Sequence, residues 1–344
     1  MEMKSENKAV DYTGAHFPAF SPLKAPRVAD FLMPFVFEGA DVRGAVVDLD
    51  VAWREVLKRH AYPLEVRSLL GQAMAAGALL SSTLKFDGTL VLQTRAEDAS
   101  APVRLMVVEC SADLSMRATA KLGEPVLNSG TDGVPGGVPG ATAHTLADLV
   151  GAGKLVITLD PREDDKAAYQ GVVPLEGDYL GAALENYMLR SEQLETRIFL
   201  AADENRAAGL LIQKMPGEGG HANQPGKSGA VFESRWPDAE ALASTITSQE
   251  LLLLEPRDIL HRLFHEFDLR LFAERPTAFK CSCSRERVAG MLRALGHEEV
   301  ESILAEQGAV TVNCEFCNQA YAFDPIDAVQ LFTLSTAPDP GLKH

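Results

Sequence analysis

Four of the five cysteines of this chain lie in its last quarter, where they form two close pairs. One residue separates Cys281 from Cys283, and two residues separate Cys314 from Cys317. A C-x-x-C turn presents two sulfurs on one side, and an extended C-x-C segment does the same because side chains alternate along a strand. Structural zinc sites take four such sulfurs in a tetrahedron. The spacing therefore predicts one Zn²⁺ ion held by Cys281, Cys283, Cys314 and Cys317.

A zinc ion with four thiolate ligands has a filled coordination shell and leaves no position for water or substrate. This argues against a catalytic zinc, and no catalytic residue is assigned. A zinc deaminase is excluded as well, because that class places proline before its C-x-x-C pair and Asn313 stands there. Two interpretations remain open. The site is either a passive clamp with ~10–16 kcal/mol of apparent binding free energy, or a pair of reactive thiol motifs.

The reactive interpretation depends on the C-x-C pair and its neighbours. A disulfide between Cys281 and Cys283 would close a small, strained ring, and strained disulfides are the labile, regulatory kind. Lys280, Arg285 and Arg287 flank the pair and favour the thiolate form. Oxidation of either pair would remove zinc ligands and withdraw the energy that folds this part of the chain.

The formal charge of −16 over 344 residues argues against binding to nucleic acid or to an anionic membrane, because phosphate contacts need clustered Lys and Arg. The cysteine-rich end shares this bias, with five Lys and Arg against nine Asp and Glu between residues 277 and 344. No apolar run reaches membrane-spanning or signal-peptide length. An odd number of cysteines is typical of a reducing compartment, so we expect a cytoplasmic protein.

Apolar periodicity predicts an α+β fold in three parts. These are an N-terminal mixed α/β core domain over residues 31–227, a helical linker over residues 228–276, and a small C-terminal four-cysteine zinc module over residues 277–344. The Gly- and Pro-rich stretch Ser129–Gly140 is predicted to be a loop, and Pro216–Ser234 to be a hinge before the linker.

Within the core, Pro63–Lys85 is rich in Ala and Leu and is predicted to be a helix, with Gly71 and Gly77 as weak points. A second helix is predicted over Glu176–Arg190. Predicted strands are Gly88–Thr94, Val103–Glu109, Leu114–Ala120, Lys154–Leu159, Tyr169–Val173, Thr196–Ala201 and Leu210–Lys214. Cys110 ends one of these strands and is interpreted as a buried small hydrophobe.

The linker is predicted to contain three short helical segments, Asp238–Thr247, Pro256–Phe264 and Glu266–Phe272, with much apolar surface. Two interpretations are open: a helical subdomain packed on the core, or an amphipathic linker whose apolar face can be covered or uncovered. Elements predicted around the cysteines are a helix from Ser284 to Leu295 closed by Gly296, a helix over Glu298–Gln307 ended by Gly308, strands Ala309–Asn313 and Tyr321–Phe323, and a last helix opened by Asp324-Pro325 and running through Phe332.

The densest motif of the chain is Phe279–Val288, and it is followed by Leu295-Gly296, Cys314–Cys317 and Tyr321–Phe323. Together with segments upstream, these resemble the heat-shock protein 33 family of redox-regulated, zinc-dependent chaperones of about 33 kDa. The upstream segments are Val42–Gly44, Tyr62-Pro63, Leu69–Gly71, Leu84–Gly88, Tyr169–Gly171, Ser191–Leu194 and Leu260–Glu266. The resemblance runs from about Phe37 to Phe332, and its departures do not involve the four cysteines. These departures are Glu195 for proline, Ala208 for glycine and the inserted loop at 129–140.

The resemblance implies a holdase that acts without ATP and is not an enzyme. In the reduced form the four cysteines would hold zinc, and the protein would be an inactive monomer. Oxidative stress would form the disulfides Cys281–Cys283 and Cys314–Cys317, release zinc and expose apolar surface near the linker. The partners implied are unfolded client proteins and, in the oxidised form, a second copy in a homodimer, with no nucleic acid and no membrane.

Two other classes of function compete with the redox-switched chaperone. An interaction module with a constitutive structural zinc would simply lose stability when its cysteines are replaced or oxidised. A thiol oxidoreductase would use Cys314 and Cys317 to turn over disulfide substrates, but the sequence around this pair lacks the thioredoxin-type βαβ context.

Overall fold

The computed structural model describes residues 30–83, 87–123, 145–161, 167–216 and 234–333. The predicted loop at 129–140, nearly all of the predicted hinge at 216–234 and the N-terminal extension lie outside these residues. The chain divides into two compact units, of which unit 1 ends at Phe279 and unit 2 begins at Lys280. The mixture of helices and sheets confirms the predicted α+β class, and the three-part division stays a prediction. Within the described ranges, no helix is both long and apolar enough to cross a membrane.

Sheet A of unit 1 brings together strands from both ends of that unit. Its antiparallel order is β10 (Leu269–Leu271), β1 (Phe31–Phe37), β2 (Val42–Leu49), β9 (Ala207–Lys214) and β8 (Thr196–Ala202), and β11 (Arg275–Pro276) also pairs with β1. Strand β8 is therefore the outer strand at one end of the sheet. The predicted strands Thr196–Ala201 and Leu210–Lys214 are confirmed as β8 and β9.

Sheet B carries most of the predicted strands. Its order is β12 (Ala278–Phe279), β5 (Ser115–Leu122), β4 (Val103–Ser111), β3 (Gly88–Ala96), β6 (Gly153–Pro161) and β7 (Tyr169–Pro174). All neighbours are antiparallel except β12 and β5, which are parallel. Buried and half-buried residues alternate along β3 because one face of the sheet covers the core, and this alternation is why the strand predictions succeed.

The helix predicted over Pro63–Lys85 is α2 (Leu64–Thr83), which follows the short helix α1 (Val51–Leu57) and lies between the two sheets. Its buried residues do not form one stripe, because strands of both sheets contact it. The two glycines are positions of close approach. A Cβ atom at Gly71 would lie 2.5 Å from Cβ of Ala202 in sheet A, and one at Gly77 would lie 3.1 Å from Val108 in sheet B.

Two further helices complete this part of unit 1. Helix α3 (Leu146–Val150) begins at a capping box in which Thr145 and Asp148 bond to each other's backbone N–H. Helix α4 (Leu180–Ser191) is the one predicted over Glu176–Arg190, and it contacts β8 and α2. It starts later than predicted because Gly177 has a φ of +113°, outside the helical region.

The linker region covers the face of sheet A that points away from α2. Helices α5 (Trp236–Ala243), α6 (Ser248–Leu253) and α7 (Pro256–Phe264) form a second apolar core with alternate residues of the sheet strands. At its centre the ring of Phe264 lies edge-on to that of Phe37, with centroids 4.9 Å apart. This arrangement agrees with the helical subdomain packed on the core domain.

One linker prediction is wrong. Glu266–Phe272 is not helical, because Leu269–Leu271 forms β10 and pairs with β1, so that Leu271 lies opposite Phe35. Leu269 and Leu271 are half-buried and pack against the second core, whereas Arg270 between them is exposed. This period of two is that of a strand, and a strand of three residues is too short to be recognised without its partner.

Unit 2 has the elements that were predicted for it. They are α8 (Arg285–Leu295), α9 (His297–Gln307), β13 (Val310–Asn313), β14 (Ala320–Phe323) and α10 (Pro325–Thr333), with β13 and β14 paired as an antiparallel hairpin. Local capping explains the boundaries. Ser284 accepts a hydrogen bond from the N–H of Arg287, and Gly308 ends α9 in the left-handed region with a φ of +76°.

Candidate metal centre

The first cysteine pair lies directly before helix α8. Cys281 and Cys283 fall in the irregular segment between β12 and Ser284, the N-cap residue of that helix. The cap fixes where the helix starts, because the Ser284 hydroxyl satisfies an N–H of the first turn. The position of Cys283 is therefore set by local sequence, one residue before the cap.

The second pair forms the turn of the β13–β14 hairpin. The Asn318 N–H donates to the Cys314 carbonyl at 2.8 Å, and the Cys314 N–H donates to the Gln319 carbonyl at 2.9 Å. Asn318 has a φ of +59°, a left-handed conformation that Asn tolerates better than most residues. The resulting tight turn carries both Cys314 and Cys317.

The four sulfur atoms converge on one point of unit 2. All four Sγ atoms lie within 4.8 Å of one another, and the side chains are half-buried. Two of the separations join one pair to the other: 3.6 Å from Cys281 to Cys314, and 3.4 Å from Cys283 to Cys317. A tetrahedral site with Zn–S bonds of about 2.3 Å has edges of about 3.8 Å. The sulfur positions are therefore compatible with one tetrahedral ion.

The environment of the thiols also fits a divalent cation. Burial, followed by the neighbouring thiols, raises the pKa of Cys317 to about 12, and burial is the leading cause of a raised pKa at Cys314. Crowded sulfurs resist ionisation because each thiolate would repel the others. A divalent cation among them would favour the thiolate forms. The donor set therefore suits Zn²⁺, which prefers four sulfurs in this geometry.

Tyr321 is a residue of this centre that the sequence analysis did not identify as functional. Its hydroxyl donates a hydrogen bond of 3.1 Å to Sγ of Cys283, and this bond is the leading cause that raises the pKa of Tyr321 to about 12. The alternation of Tyr321 and the buried Phe323 along β14 could have indicated that the tyrosine points to the same side as the module core.

Two of the basic residues beside the first pair, Arg285 and Arg287, form hydrogen bonds within unit 2. Arg285 donates to the Ala322 carbonyl and to Asp327, both at 2.7 Å, and lies 4.2 Å from the centroid of the Phe323 ring. Arg287 donates to the Ser282 hydroxyl at 2.8 Å. These bonds show a structural role in joining the cysteine segment and α8 to β14 and α10.

The apolar core of unit 2 is small. Among the residues of unit 2 that the structure describes, it contains seven buried side chains, supplied by α8, α9, β13, β14 and α10. In a domain of fewer than about 70–80 residues the apolar core alone rarely contributes more than about 3–5 kcal/mol, and a metal or a disulfide is a common addition. The sulfur cluster stands where such a cross-link would join the segment before α8 to the hairpin.

Cys110 belongs to unit 1, and histidines of both units have ring contacts of their own. Cys110 is 1% exposed in the core of unit 1, and burial raises its pKa to about 11, which confirms its interpretation as a buried small hydrophobe. His297 packs edge-on against Phe332, and the rings of His261 and His265 lie 6.4 Å apart. In the part of the chain that the structure describes, the four cysteines are the only such group of metal-ligating side chains.

Comparison with known proteins places the chain in a family. The family model described as Hsp33 protein matches residues 30–324, which is most of the chain. The chain belongs to the Hsp33 family. The resemblance stated from the sequence motifs is thereby confirmed.

Several relatives of the Hsp33 family are close in sequence. A protein named 33 kDa chaperonin from Chromobacterium violaceum is 47% identical over 304 residues, which are 88% of this chain and 94% of that protein. Another of the same name from Methylobacillus flagellatus is 46% identical over 320 residues, which are 92% of this chain and 100% of that protein.

A solved structure shares the fold. The crystal structure of the 33 kDa chaperonin (heat shock protein 33 homolog) from Thermotoga maritima superposes with a TM-score of 0.71 at 20% identity. The match covers 89% of this chain and 99% of that one. At this level of identity the likeness concerns the Hsp33 fold alone.

Proposed function

We propose that this member of the Hsp33 family is a redox-regulated, ATP-independent chaperone that holds unfolding proteins during oxidative stress. The observation that carries the proposal is the convergence of four half-buried sulfurs within 4.8 Å of one another in a unit whose apolar core is small. The names of the relatives support the chaperone part. The redox part rests on the chemistry of the four thiols.

Cys281, Cys283, Cys314 and Cys317 are the residues that would hold Zn²⁺. When bound, zinc would keep all four sulfurs as thiolates and cross-link the two cysteine segments, with an apparent binding free energy of ~10–16 kcal/mol. This exceeds what a core of seven side chains can contribute alone. The fold of unit 2 then depends on the reduced state of its cysteines.

Oxidation changes the cysteines by a balanced reaction. The thiolates of Cys314 and Cys317 give two electrons to one molecule of hydrogen peroxide, which takes two protons from the solvent and becomes two molecules of water, and one S–S bond forms. The same reaction joins Cys281 and Cys283. Each disulfide removes two of the four donors, so the cluster loses its capacity to coordinate the ion.

The pairing within each motif is part of the proposal. Sulfur atoms of different motifs also lie close together, at 3.6 Å from Cys281 to Cys314 and 3.4 Å from Cys283 to Cys317, so proximity alone does not select pairing within a motif. Once the centre loosens, the small loops within C-x-C and C-x-x-C favour pairing of near neighbours, since the entropic cost of loop closure rises with loop length. Peptide mapping of the oxidised protein by mass spectrometry distinguishes the two pairings.

The surface that becomes available is the apolar face under the linker helices. Helices α5–α7 cover the outer face of sheet A with Trp236, Leu263, Phe264 and other apolar side chains. The chain passes from this region through β10, β11 and β12 directly into Cys281. Unfolding of unit 2 would therefore release the end of the segment that holds the linker in place, and exposed apolar surface binds unfolded polypeptides.

The partners in this proposal are unfolded clients and, after oxidation, a second copy of the chain. We expect no catalytic turnover. We also expect no binding to nucleic acid or membranes, because the net charge of −16 disfavours phosphate contacts. A cytoplasmic location follows from the redox chemistry, because the thiols must be reduced at rest.

The test measures three quantities on one sample of zinc-loaded, reduced protein treated with peroxide at mildly elevated temperature. These are free thiols, zinc released to a chromogenic chelator, and light scattering from a heat-denaturing client. We expect loss of four thiols, release of one zinc ion per chain and suppression of client aggregation. Retained zinc, or release without suppression, would contradict the proposal and favour a constitutive structural zinc. Turnover of insulin or glutathione would favour an oxidoreductase.

A further inference from the structure

The outermost strand of sheet B leads directly to the first cysteine pair. This strand, β12, consists of Ala278 and Phe279, and it pairs in parallel with β5 so that Phe279 lies opposite Met116. Because β12 is the last strand at its end of the sheet, its departure would leave β5 as an outer strand whose backbone groups can pair with another chain. One residue, Lys280, separates Phe279 from Cys281. A change at that cysteine therefore acts on the chain beside this strand.

The half-buried ring of Phe279 lies in a well-defined site of unit 1. It packs against the apolar core of that unit, and the guanidinium carbon of Arg59 lies over its face, 4.3 Å from the ring centroid. Arg59 is held in place by Glu55, whose carbonyl and carboxylate accept hydrogen bonds of 2.9 and 3.1 Å. An apolar floor with an arginine above it suits an aromatic ring, through burial and a cation–π contact. The core beneath the ring, Arg59 above it and the edge of β5 at Met116 are together called the Phe279 site.

The strand that fills the Phe279 site is weakly held. Its ladder with β5 is two residues long, whereas strands usually have three to ten residues. The Ala278 N–H donates to the Leu114 carbonyl at 3.3 Å, which is long for such a bond. Thr277 is 5% exposed, and its buried hydroxyl has no hydrogen-bond partner among the described residues, which costs stability. A short edge strand of this kind frays once the chain beyond it is disordered.

The chain's own segment shows which chemistry the Phe279 site accepts: an extended backbone beside β5 and an aromatic ring beneath Arg59. We propose that this site binds an aromatic residue of an unfolding client, and that Phe279 blocks it in the reduced protein. When oxidation unfolds unit 2, β12 leaves, and the edge of β5 pairs with an extended client segment. Aromatic residues are suitable anchors because folded proteins largely bury them and unfolding exposes them.

This inference rests on the proposed function for its trigger and for its class of partner. It adds a recognition site on sheet B, separate from the face of sheet A that the linker helices cover. It also gives a reason why the reduced protein does not hold clients at this site, because the chain occupies it with its own phenylalanine.

The test uses the full-length protein in two forms, reduced with zinc bound and oxidised by peroxide, and two fluorescent peptides followed by anisotropy. The first peptide has the sequence of residues 275–280, and the second carries Phe279→Ala. We expect the oxidised protein to bind the first peptide about tenfold or more tightly than the reduced protein, because β12 no longer fills the site. The second peptide should bind the oxidised protein about tenfold more weakly, because it lacks the ring. A heat-denaturing client should displace the first peptide.

Substitutions in the protein locate the site. Phe279→Ala removes the blocking ring and keeps all cysteines, so this variant in its reduced form should bind the first peptide about tenfold more tightly than the reduced wild type. Phe272→Ala, at a ring that is 36% exposed, is its control and should not. In the oxidised protein, Arg59→Ala should weaken binding about two- to fivefold. Lys58→Ala is the matched control, because Lys58 pairs with the same Glu55. The Arg59 comparison stands even if Phe279→Ala fails to fold.

Each comparison can overturn this inference. It fails if oxidation does not raise the affinity for the first peptide, if both peptides bind the oxidised protein equally, or if the client does not displace the first peptide. It also fails if a folded Phe279→Ala variant behaves like Phe272→Ala, or if Arg59→Ala behaves like Lys58→Ala.

Aggregation suppression, measured on the same samples, separates this inference from the proposed function. If the oxidised protein suppresses aggregation but shows none of these differences between peptides and variants, the site assignment fails alone. If the peptide comparisons give the expected results without any suppression, the proposed function fails.

Discussion

The hydroxyl of Tyr321 donates a hydrogen bond of 3.1 Å to Sγ of Cys283. Removal of a group that hydrogen-bonds to a metal-binding side chain typically lowers the metal affinity by 10–100-fold. We therefore expect Tyr321→Phe, which deletes only the hydroxyl, to weaken zinc binding by about tenfold or more in competition with a chelator. Tyr179→Phe, at an exposed tyrosine of unit 1, is the control. Equal zinc affinity in the wild type and both variants would show that this bond does not support the metal centre.

The contacts of Arg285 predict a second effect on unit 2. Arg285→Ala removes a hydrogen bond to the Ala322 carbonyl and the contact with the Phe323 ring, which together contribute about 1–2 kcal/mol to the free energy of unfolding. We expect the calorimetric transition of unit 2 to fall by roughly 5 °C or more. The transition temperature of Arg285→Lys should lie between those of the wild type and Arg285→Ala, because lysine keeps the positive charge but lacks the planar guanidinium group. An unchanged transition in both variants would contradict this role.

Phe264 tests whether linker packing alone keeps apolar surface covered. Its ring is 1% exposed and packs edge-on against Phe37. Phe264→Ala should lower the free energy of unfolding by about 3–5 kcal/mol. It should also loosen the packing of helices α5–α7 on sheet A. We expect stronger binding of an apolar dye, and some suppression of client aggregation, in the reduced protein. Phe272→Ala, at a ring that is 36% exposed, should leave both unchanged. A destabilised variant without dye binding would contradict the expectation.

Cys110 should differ from the other four cysteines in its reactivity. Burial raises its pKa to about 11, so its thiolate fraction at pH 8 is on the order of a hundredfold lower than that of a free cysteine. We expect no alkylation of Cys110 by iodoacetamide in the native protein and full alkylation in urea, as measured by mass spectrometry. Native alkylation at the rate of a free thiol would show that the core of unit 1 opens at this strand.

Local patterns in the sequence predict much of this fold. Ser284 before α8, Gly308 after α9 and Asp324-Pro325 before α10 act through their immediate neighbours, so the elements around the metal centre could be predicted closely. The spacing of the four cysteines also predicts their convergence. These features need no knowledge of distant contacts.

Features that depend on distant partners could not be predicted. The segment that forms β10 was predicted to be helical, because this strand depends on pairing with β1 across more than two hundred residues. No element was predicted for residues 31–62, where β2 pairs with the distant β9 as well as with its neighbour β1. Gly71 would weaken a lone helix, but in the fold it leaves the space in which Ala202 packs against α2. The hydrogen bond of Tyr321 likewise appears only when β14 meets the first cysteine pair.

The central claim is that oxidation of the cysteines in unit 2 uncovers the apolar face beneath helices α5–α7 of unit 1. Amide hydrogen exchange of residues 236–264, compared between the reduced, zinc-loaded protein and the peroxide-treated protein, tests it most directly. The account predicts that α5–α7 lose protection after oxidation while α2, between the two sheets, stays protected. Undiminished protection of α5–α7 in an oxidised protein that suppresses client aggregation would contradict it.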